Sequence, residues 1–192
     1  SKAENFLGCQ VEAYYKDNRA DTGELLYVVG ADKNEVITIQ SEDIIEEDTT
    51  REELVYEKSG KEKKIKISRV ADMVYNGRGY PDFTVSDMTP ESGYITVIDN
   101  DRDNVFDCII VTAYITVVVD KASSSYERIT GKNGEVIELS EYYGYNIYLD
   151  NEEINLSGMS AGDVIYVMAD KDKEHASIYI TRNSFEGIVY GF

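Results

Sequence analysis

The segment IDNDRDNVFD (Ile98–Asp107) contains the residues whose types and spacing could do chemistry in this sequence. Its aspartates match the spacing of a twelve-residue calcium loop, in which positions 1, 3 and 5 offer carboxylates, position 7 a backbone carbonyl and position 9 a water-holding side chain. Ca²⁺ takes six to eight oxygen ligands, which such a spacing can gather around one centre. The segment therefore predicts a weak Ca²⁺ site, with a Kd of ~10⁻⁴ to 10⁻³ M as in extracellular modules. Its ligands would be Asp99, Asp101, Asp103, Val105 and Asp107.

A second interpretation of the same segment needs no metal. The loop pattern asks for Gly at position 6 and a bidentate Glu at position 12, whereas this sequence has Asn104 and Ile110 there. Asp and Asn side chains also hydrogen-bond to nearby backbone N–H groups, which is why they are common at the tips of β-hairpins. Mutual repulsion of clustered carboxylates favours a cation, so both interpretations stay open at this point.

Catalytic patterns are weak in this sequence, and we predict that the protein is not an enzyme. Paired carboxylates could hydrolyse a glycoside, but with 37 acidic residues such pairs arise without any catalytic role. The single histidine, His175, lies in the polar segment ADKDKEHAS. The sequence lacks a Gly-x-Ser-x-Gly elbow, a Cys–His arrangement, a P-loop and a dinucleotide-binding fingerprint.

Apolar residues recur with a period of two over most of the chain, which predicts an all-β protein. Segments such as VEAYY, LLYVV, EVITI, YITVI and YNIYL read as strands, and the longest, Ile109–Val119, reads as one strand. Clusters of Gly, Asn and Asp separate these segments at intervals typical of small barrels and sandwiches. We expect short antiparallel strands in one or two barrel- or sandwich-like units. Helix is limited to single turns at Thr84–Met88, Ser140–Tyr143 and Leu156–Ala161.

Two segments near opposite ends of the chain are similar to each other. Gly23–Ile39 and Gly162–Ile180 share a Gly, an acid, two aliphatic residues and Tyr-Val, followed by an Asp-Lys turn and a second strand. Each predicts a β-hairpin, and a true duplication would indicate a tandem array of modules. The turn-rich segment Ser86–Gly93 is the predicted boundary between an N-terminal β region (1–88) and a C-terminal β region (91–192). We expect the chain to be a fragment of a longer protein.

Composition limits the partners that the protein can have. A formal charge of −18 and a pI near 4.3 argue against nucleic-acid and membrane-surface binding, because phosphate backbones and anionic lipids would be repelled. No apolar run approaches the ~20 residues that membrane insertion requires. The two cysteines, Cys9 and Cys108, lie in apolar segments and predict small buried side chains rather than a disulfide framework.

Sixteen tyrosines raise the alternative of glycan binding. Stacked aromatic rings and acidic hydrogen-bonding groups are a common way to hold sugars, although tyrosine is also a favoured strand residue with one polar end. The candidates for such a platform are Tyr14, Tyr15, Tyr142, Tyr143, Tyr145 and Tyr148.

GYITVIDNDRDNVFDCIIVTAYITVVV resembles a β-rich module found in large cell-surface proteins, of the S-layer-associated type, in clostridial-type Gram-positive bacteria. There the pattern is Gly-x-Val-x-Leu-Ile-Asp-Asn-Asp-Gly-Asp-Gly-x-x-Asp followed by an apolar run. FLGCQVEAYYKD, ADMVYNG, GDVIYV and EGIVYG are similar to further parts of that module. Arg102 and Asn104 depart from it, since they stand where the group usually has Gly.

The resemblance implies a secreted or wall-attached, non-enzymatic spacer module whose partners are neighbouring modules of the same surface protein. The alternative is a weakly Ca²⁺-dependent adhesive module, or one that binds cell-wall glycan.

Overall fold

Alternation of apolar and polar residues produces fifteen strands in the part of the chain that the structure, a computed structural model, describes, namely residues 6–16 and 23–183. Strands account for 55% of the structure and helical turns for 10%. The predicted all-β fold is therefore confirmed, and the partly curled sheets are consistent with small barrel- or sandwich-like units. The chain divides into two units, residues 1–113 and 114–192.

The first unit contains eight strands in the described residues. They are β1 (Val11–Tyr15), β2 (Leu25–Gly30), β3 (Glu35–Gln40), β4 (Glu53–Glu57), β5 (Glu62–Tyr75), β6 (Arg78–Gly79), β7 (Gly93–Asp99) and β8 (Val105–Ala113). β1 and β2 form a two-stranded antiparallel sheet, and the others form a sheet of order β3-β7-β8-β5-β4 with β6 paired to β5. The core of this unit includes Ile95, Val97, Ile109 and Val111, which are fully buried because they alternate along β7 and β8.

The second unit contains the remaining seven strands. They are β9 (Ile115–Ser123), β10 (Arg128–Gly131), β11 (Val136–Glu138), β12 (Gly144–Leu149), β13 (Glu152–Ile154), β14 (Val164–Ala169) and β15 (His175–Thr181). Their order in one sheet is β11-β10-β9-β14-β15-β12-β13. Val119, Ile129, Ile147, Ile165 and Ile178 are fully buried in a separate core.

The periodicity predicted short antiparallel strands, and some strands are neither short nor antiparallel. β5 runs for 14 residues and pairs in parallel with β8, with a register shift between Ile67 and Asp72. β12 also pairs in parallel with β15. Parallel neighbours require a crossover connection, which alternation along a single strand does not reveal.

Of the two predicted hairpins, one is correct. β14 and β15 pair antiparallel from Val164↔Thr181 to Ala169↔Ala176, which confirms the hairpin within Gly162–Ile180. The hairpin predicted within Gly23–Ile39 is wrong, because β2 pairs with β1 whereas β3 pairs with β7 in the other sheet. The turn between β2 and β3 exists, but the two strands separate after it.

The apolar segment Ile109–Val119 is two strands rather than one. It divides at Tyr114 into the end of β8 and the start of β9, and the division between the two units falls at the same point. The predicted boundary segment, Ser86–Gly93, lies inside the first unit. It leads into β7, which pairs with β3 on one side and β8 on the other.

The three predicted helical turns are present as single 3-10 turns, but helix is not limited to them, because two further 3-10 turns lie at Ser41–Asp43 and Glu46–Asp48. The predicted turns occupy Val85–Asp87, Leu139–Glu141 and Leu156–Gly158. Among residues 6–16 and 23–183, no helix has the length and hydropathy needed to cross a membrane.

Candidate functional site

The aspartate segment forms the tip of the β7–β8 hairpin, as one of its two interpretations predicted. β7 ends at Asp99 and β8 begins at Val105, and the strands pair from Gly93↔Ala113 to Ile98↔Cys108. Arg102 and Asn104 have φ angles of 65° and 64°, in the left-handed region that favours glycine. The two positions at which the resembling modules carry Gly are thus the two positions of the turn that need positive φ.

Asp99 organises this turn from within. Its side chain is fully buried. Oδ1 accepts hydrogen bonds from the backbone N–H groups of Asp101 (3.1 Å) and Arg102 (2.7 Å), and Oδ2 accepts one from Asn104 (2.9 Å). A buried carboxylate is stable only when its oxygens are satisfied in this way, so the turn and the charge depend on each other.

The pKa of Asp99 lies below its ordinary value. Burial alone would raise the pKa, but backbone N–H groups of Arg102, Asp101, Asn104 and Asp103 stabilise the charged form and more than offset burial. Asp99 is therefore an ionised structural group and lacks the raised pKa that a general acid needs.

The other three aspartates cap further N–H groups of the same turn. Asp101 Oδ1 accepts from Asp103 N (3.2 Å), and Asp103 Oδ1 accepts from Val105 N (2.7 Å). Asp107, at the start of β8, accepts from Asn100 N through Oδ2 (3.2 Å). The segment is therefore a self-capped turn in which each aspartate accepts at least one backbone hydrogen bond.

Three of the five residues predicted to bind metal come together. One carboxylate oxygen each from Asp99, Asp101 and Asp107 lies within 4.8 Å of the others, which is close enough for one metal ion. Asp103 is not part of this carboxylate cluster, because it caps the N–H of Val105. Val105, the first residue of β8, was predicted to bind through its backbone carbonyl, and that role stays a prediction. The loop geometry of a full calcium site is thus only partly present.

Hydrogen bonds connect this turn to the N-terminal segment, and the sequence did not predict these contacts. Asn100 Oδ1 accepts a hydrogen bond from Gln10 N (3.0 Å), and Asn34 bonds to both the N–H and the carbonyl of Gln10. Arg102 directs its guanidinium to the carbonyl of Asp32 (2.6 Å), so it does not point at the carboxylates. A cavity of about 380 Å³ beside the turn is lined by residues that include Asn100, Asp72, Asp107 and Cys108.

Three more buried aspartates hold turns elsewhere. Asp87 accepts from Thr84 N and Oγ1, Asp163 accepts from Ser160 N, and Asp170 accepts from Glu174 N and His175 N. The signal for two of them was present in the sequence, since Thr-x-x-Asp and Ser-x-x-Asp are capping patterns.

Asp163 has a partner that the sequence did not suggest. Arg182 donates to both of its oxygens, at 2.8 and 3.0 Å, and this pairing lowers the pKa of Asp163.

The tyrosines predicted to form a platform are distributed over the two units. Tyr14 contacts Tyr27 in the first unit, whereas Tyr145 donates to Glu127 in the second. Tyr148 alone joins an aromatic row, in which the register places Tyr148, Tyr179 and Tyr166 side by side on β12, β15 and β14. The rings of Tyr148 and Tyr179 stack with centroids 5.2 Å apart, and Tyr166 meets Tyr114 edge-on at 5.4 Å.

Searches for known relatives found no matching protein-family model and no curated protein with significant similarity. The resemblance to S-layer-associated modules therefore stays an expectation from the sequence.

Proposed function

We propose that this protein is a non-enzymatic structural module, a spacer within a secreted or wall-attached bacterial surface protein. The observation that carries the proposal is the use of its buried carboxylates. Asp87, Asp99, Asp163 and Asp170 are the buried acids of the described residues, and each accepts backbone hydrogen bonds that hold a turn. Carboxylates used in this way stabilise a fold and are not free to exchange protons with a substrate.

The chemistry of the hairpin tip supports the surface-module reading. Arg102 and Asn104 have positive φ angles, and the resembling modules carry Gly at these two positions, the residue that adopts such angles most readily. A formal charge of −18 favours the solubility of such a module. Neighbouring modules of the same protein are its proposed partners.

The location is tested on intact cells of the bacterium that encodes the chain. Antibodies raised against the protein should label unpermeabilised cells, and external protease should remove that labelling. Labelling that requires permeabilisation, together with recovery of the protein in the cytosolic fraction, would contradict the proposal.

A second function, weak Ca²⁺ binding that assists adhesion, is favoured by the cluster of Asp99, Asp101 and Asp107. Carboxylate oxygens within 4.8 Å of one another repel, and a cation would relieve this repulsion. Asp99 Oδ1 already accepts two backbone hydrogen bonds. A cation would therefore bind through the carboxylate oxygens of the cluster that accept fewer hydrogen bonds.

Thermal melting tests this second function. With a Kd of ~10⁻⁴ to 10⁻³ M, 10 mM Ca²⁺ should stabilise the fold by ~1.4 to 2.7 kcal/mol, whereas Mg²⁺ should stabilise it less. Asp107→Asn should abolish the Ca²⁺ effect, and Asp103→Asn should preserve it because Asp103 lies outside the cluster. Equal shifts with Ca²⁺ and Mg²⁺, or none, would exclude a Ca²⁺ site.

Glycan binding is the other form of this alternative, and the row formed by Tyr148, Tyr179 and Tyr166 is its candidate surface. Tyr166 and Tyr179 are exposed, but the stacked pair covers the facing sides of its own rings. Tyr179→Ala should abolish binding of cell-wall oligosaccharides. Tyr143→Ala should leave binding unchanged, because Tyr143 is exposed and lies outside the row. A glycan array without signal would end this alternative.

A further inference from the structure

The chain's two cysteines are brought together in the first unit. A Cβ atom placed on Gly8 would lie 2.6 Å from Cys108 Sγ and 3.3 Å from Cys108 Cβ, so the backbone next to Cys9 passes directly over the Cys108 side chain. Hydrogen bonds hold this segment on both sides of the contact: Cys9 N donates to Phe6 O (2.9 Å), and Gln10 N donates to Asn100 Oδ1 (3.0 Å).

The approach depends on residue 8 being glycine. Gly8 has a φ of +75°, and a Cβ there would overlap both Cys108 Sγ and Ile98 Cδ1. Since consecutive Cα atoms are ~3.8 Å apart, Cys9 is only one residue away from direct contact with the Cys108 thiol.

Both cysteines are free thiols in the structure. Burial raises the pKa of Cys108 to about 11, and the charges of Asp72, Cys9 and Asp107 contribute in the same direction. Burial also raises the pKa of Cys9. The electrostatic interaction between the two sulfurs agrees with their proximity. Cys9 is half-buried and Cys108 is buried at the wall of the cavity beside the aspartate turn.

We propose that Cys9 and Cys108 are a disulfide-forming pair that links the N-terminal segment to the β7–β8 hairpin. The oxidant is a low-molecular-weight disulfide. The Cys9 thiolate attacks one of its sulfurs, releases one small thiol and becomes a mixed disulfide. The Cys108 thiolate then attacks the Cys9 sulfur and releases the second small thiol. Two electrons pass to the small disulfide, and the two protons lost by the cysteines end on the released thiols.

The bond would close a loop from residue 9 to residue 108, which encloses most of the first unit. Cross-links over about 100 residues restrict the unfolded chain strongly, so oxidation should raise the Tm on the order of 10 °C. It would also fix β1 (Val11–Tyr15), whose side chains are largely exposed and whose sheet has only two strands. This inference does not rest on the proposed function.

The experiment treats the full chain with oxidised glutathione at pH 8.5. We expect both thiols to disappear and the mass to fall by about 2 Da, the two thiol hydrogens. Trypsin should then release residues 3–16 joined to residues 103–121, a species that dithiothreitol separates. The gain in Tm should also reverse with dithiothreitol.

Two variants control the result. Cys9→Ser should keep the Tm of the reduced protein and gain nothing on oxidation. Gly8→Ala keeps both thiols but pushes the segment away from Cys108, so it should accumulate glutathione on Cys9 without closing the bond. A lasting glutathione adduct on Cys9 in the unsubstituted protein, disulfide-linked dimers, or two unreacted thiols would each overturn the proposal.

Discussion

Replacement of Asp99 by asparagine tests the physical basis of the hairpin tip. Asparagine has nearly the same shape, but it lacks the charge and has only one acceptor oxygen. That oxygen can still accept from Asp101 N and Arg102 N, whereas the amide NH₂ would face the N–H of Asn104, donor against donor in a fully buried position.

The expected loss of stability follows from these three contacts. Hydrogen bonds to a charged group contribute ~1.5 to 3 kcal/mol, and those between neutral groups ~0.5 to 1.5 kcal/mol. Weakening two bonds by ~1 kcal/mol each and leaving Asn104 N unsatisfied, at ~1 to 3 kcal/mol, gives a destabilisation of ~3 to 5 kcal/mol for Asp99→Asn. Asp101→Asn, at an exposed residue that accepts one hydrogen bond within the turn, should cost less than ~1 kcal/mol.

The pH dependence of stability is an independent test of the role of Asp99. Because the pKa of Asp99 is lowered in the folded protein, its contribution is fully present above its unfolded value near 3.8 and is lost as pH falls through the folded value. The difference in stability between Asp99→Asn and the unsubstituted protein should therefore be constant at neutral pH and shrink below about pH 4. Urea unfolding followed by circular dichroism at pH 7, 5 and 3 measures both effects. If Asp99→Asn lowered the free energy of unfolding by less than ~1 kcal/mol at pH 7, the hydrogen bonds to Asp99 would not be what holds the turn.

Three further substitutions test individual features. Arg102→Gly should be more stable than Arg102→Ala by ~1 kcal/mol, because both lack the contact to Asp32 and only alanine resists a φ of 65°; equal stabilities in urea would show that this backbone strain is absent. Asp163→Asn should cost ~2 kcal/mol at pH 7 and lose this effect below about pH 4, since Arg182 lowers the pKa of Asp163; a pH-independent cost would contradict the ion pair. Gly93→Ala should cost ~3 to 5 kcal/mol, because φ is 125° and the new Cβ would lie 1.9 Å from Thr112 O; a normal Tm would contradict the close strand approach.

Period-two alternation predicted the fold class because alternation is the direct consequence of a sheet with one buried face. It could not predict the break at Tyr114, since the apolar run from Ile109 to Val119 has no turn residue between β8 and β9. Nor could it predict partners. β2 and β3 look like a hairpin in sequence, but the strand that each pairs with is decided by tertiary packing.

The candidate site was predictable to a similar extent. The spacing of the aspartates identified the turn and three of its clustered carboxylates, because these residues are close in sequence. The burial of Asp99 and the hydrogen bond from Gln10 to Asn100 depend on residues that are distant in sequence, up to 90 positions apart in the case of the hydrogen bond. Such contacts arise only when the sheet has formed, and the pattern of a single segment has no information about them. The approach of Gly8 to Cys108 was hidden for the same reason.

Amide hydrogen exchange in the presence of EDTA tests whether buried Asp99 holds this turn without a metal. We expect the N–H groups of Arg102 and Asn104 to be protected in EDTA, and we expect Asp99→Asn to remove the protection of Asn104 and to reduce that of Arg102. Rapid exchange in EDTA, with protection appearing only when Ca²⁺ is added, would contradict this expectation and would show that the turn forms only when a metal is bound.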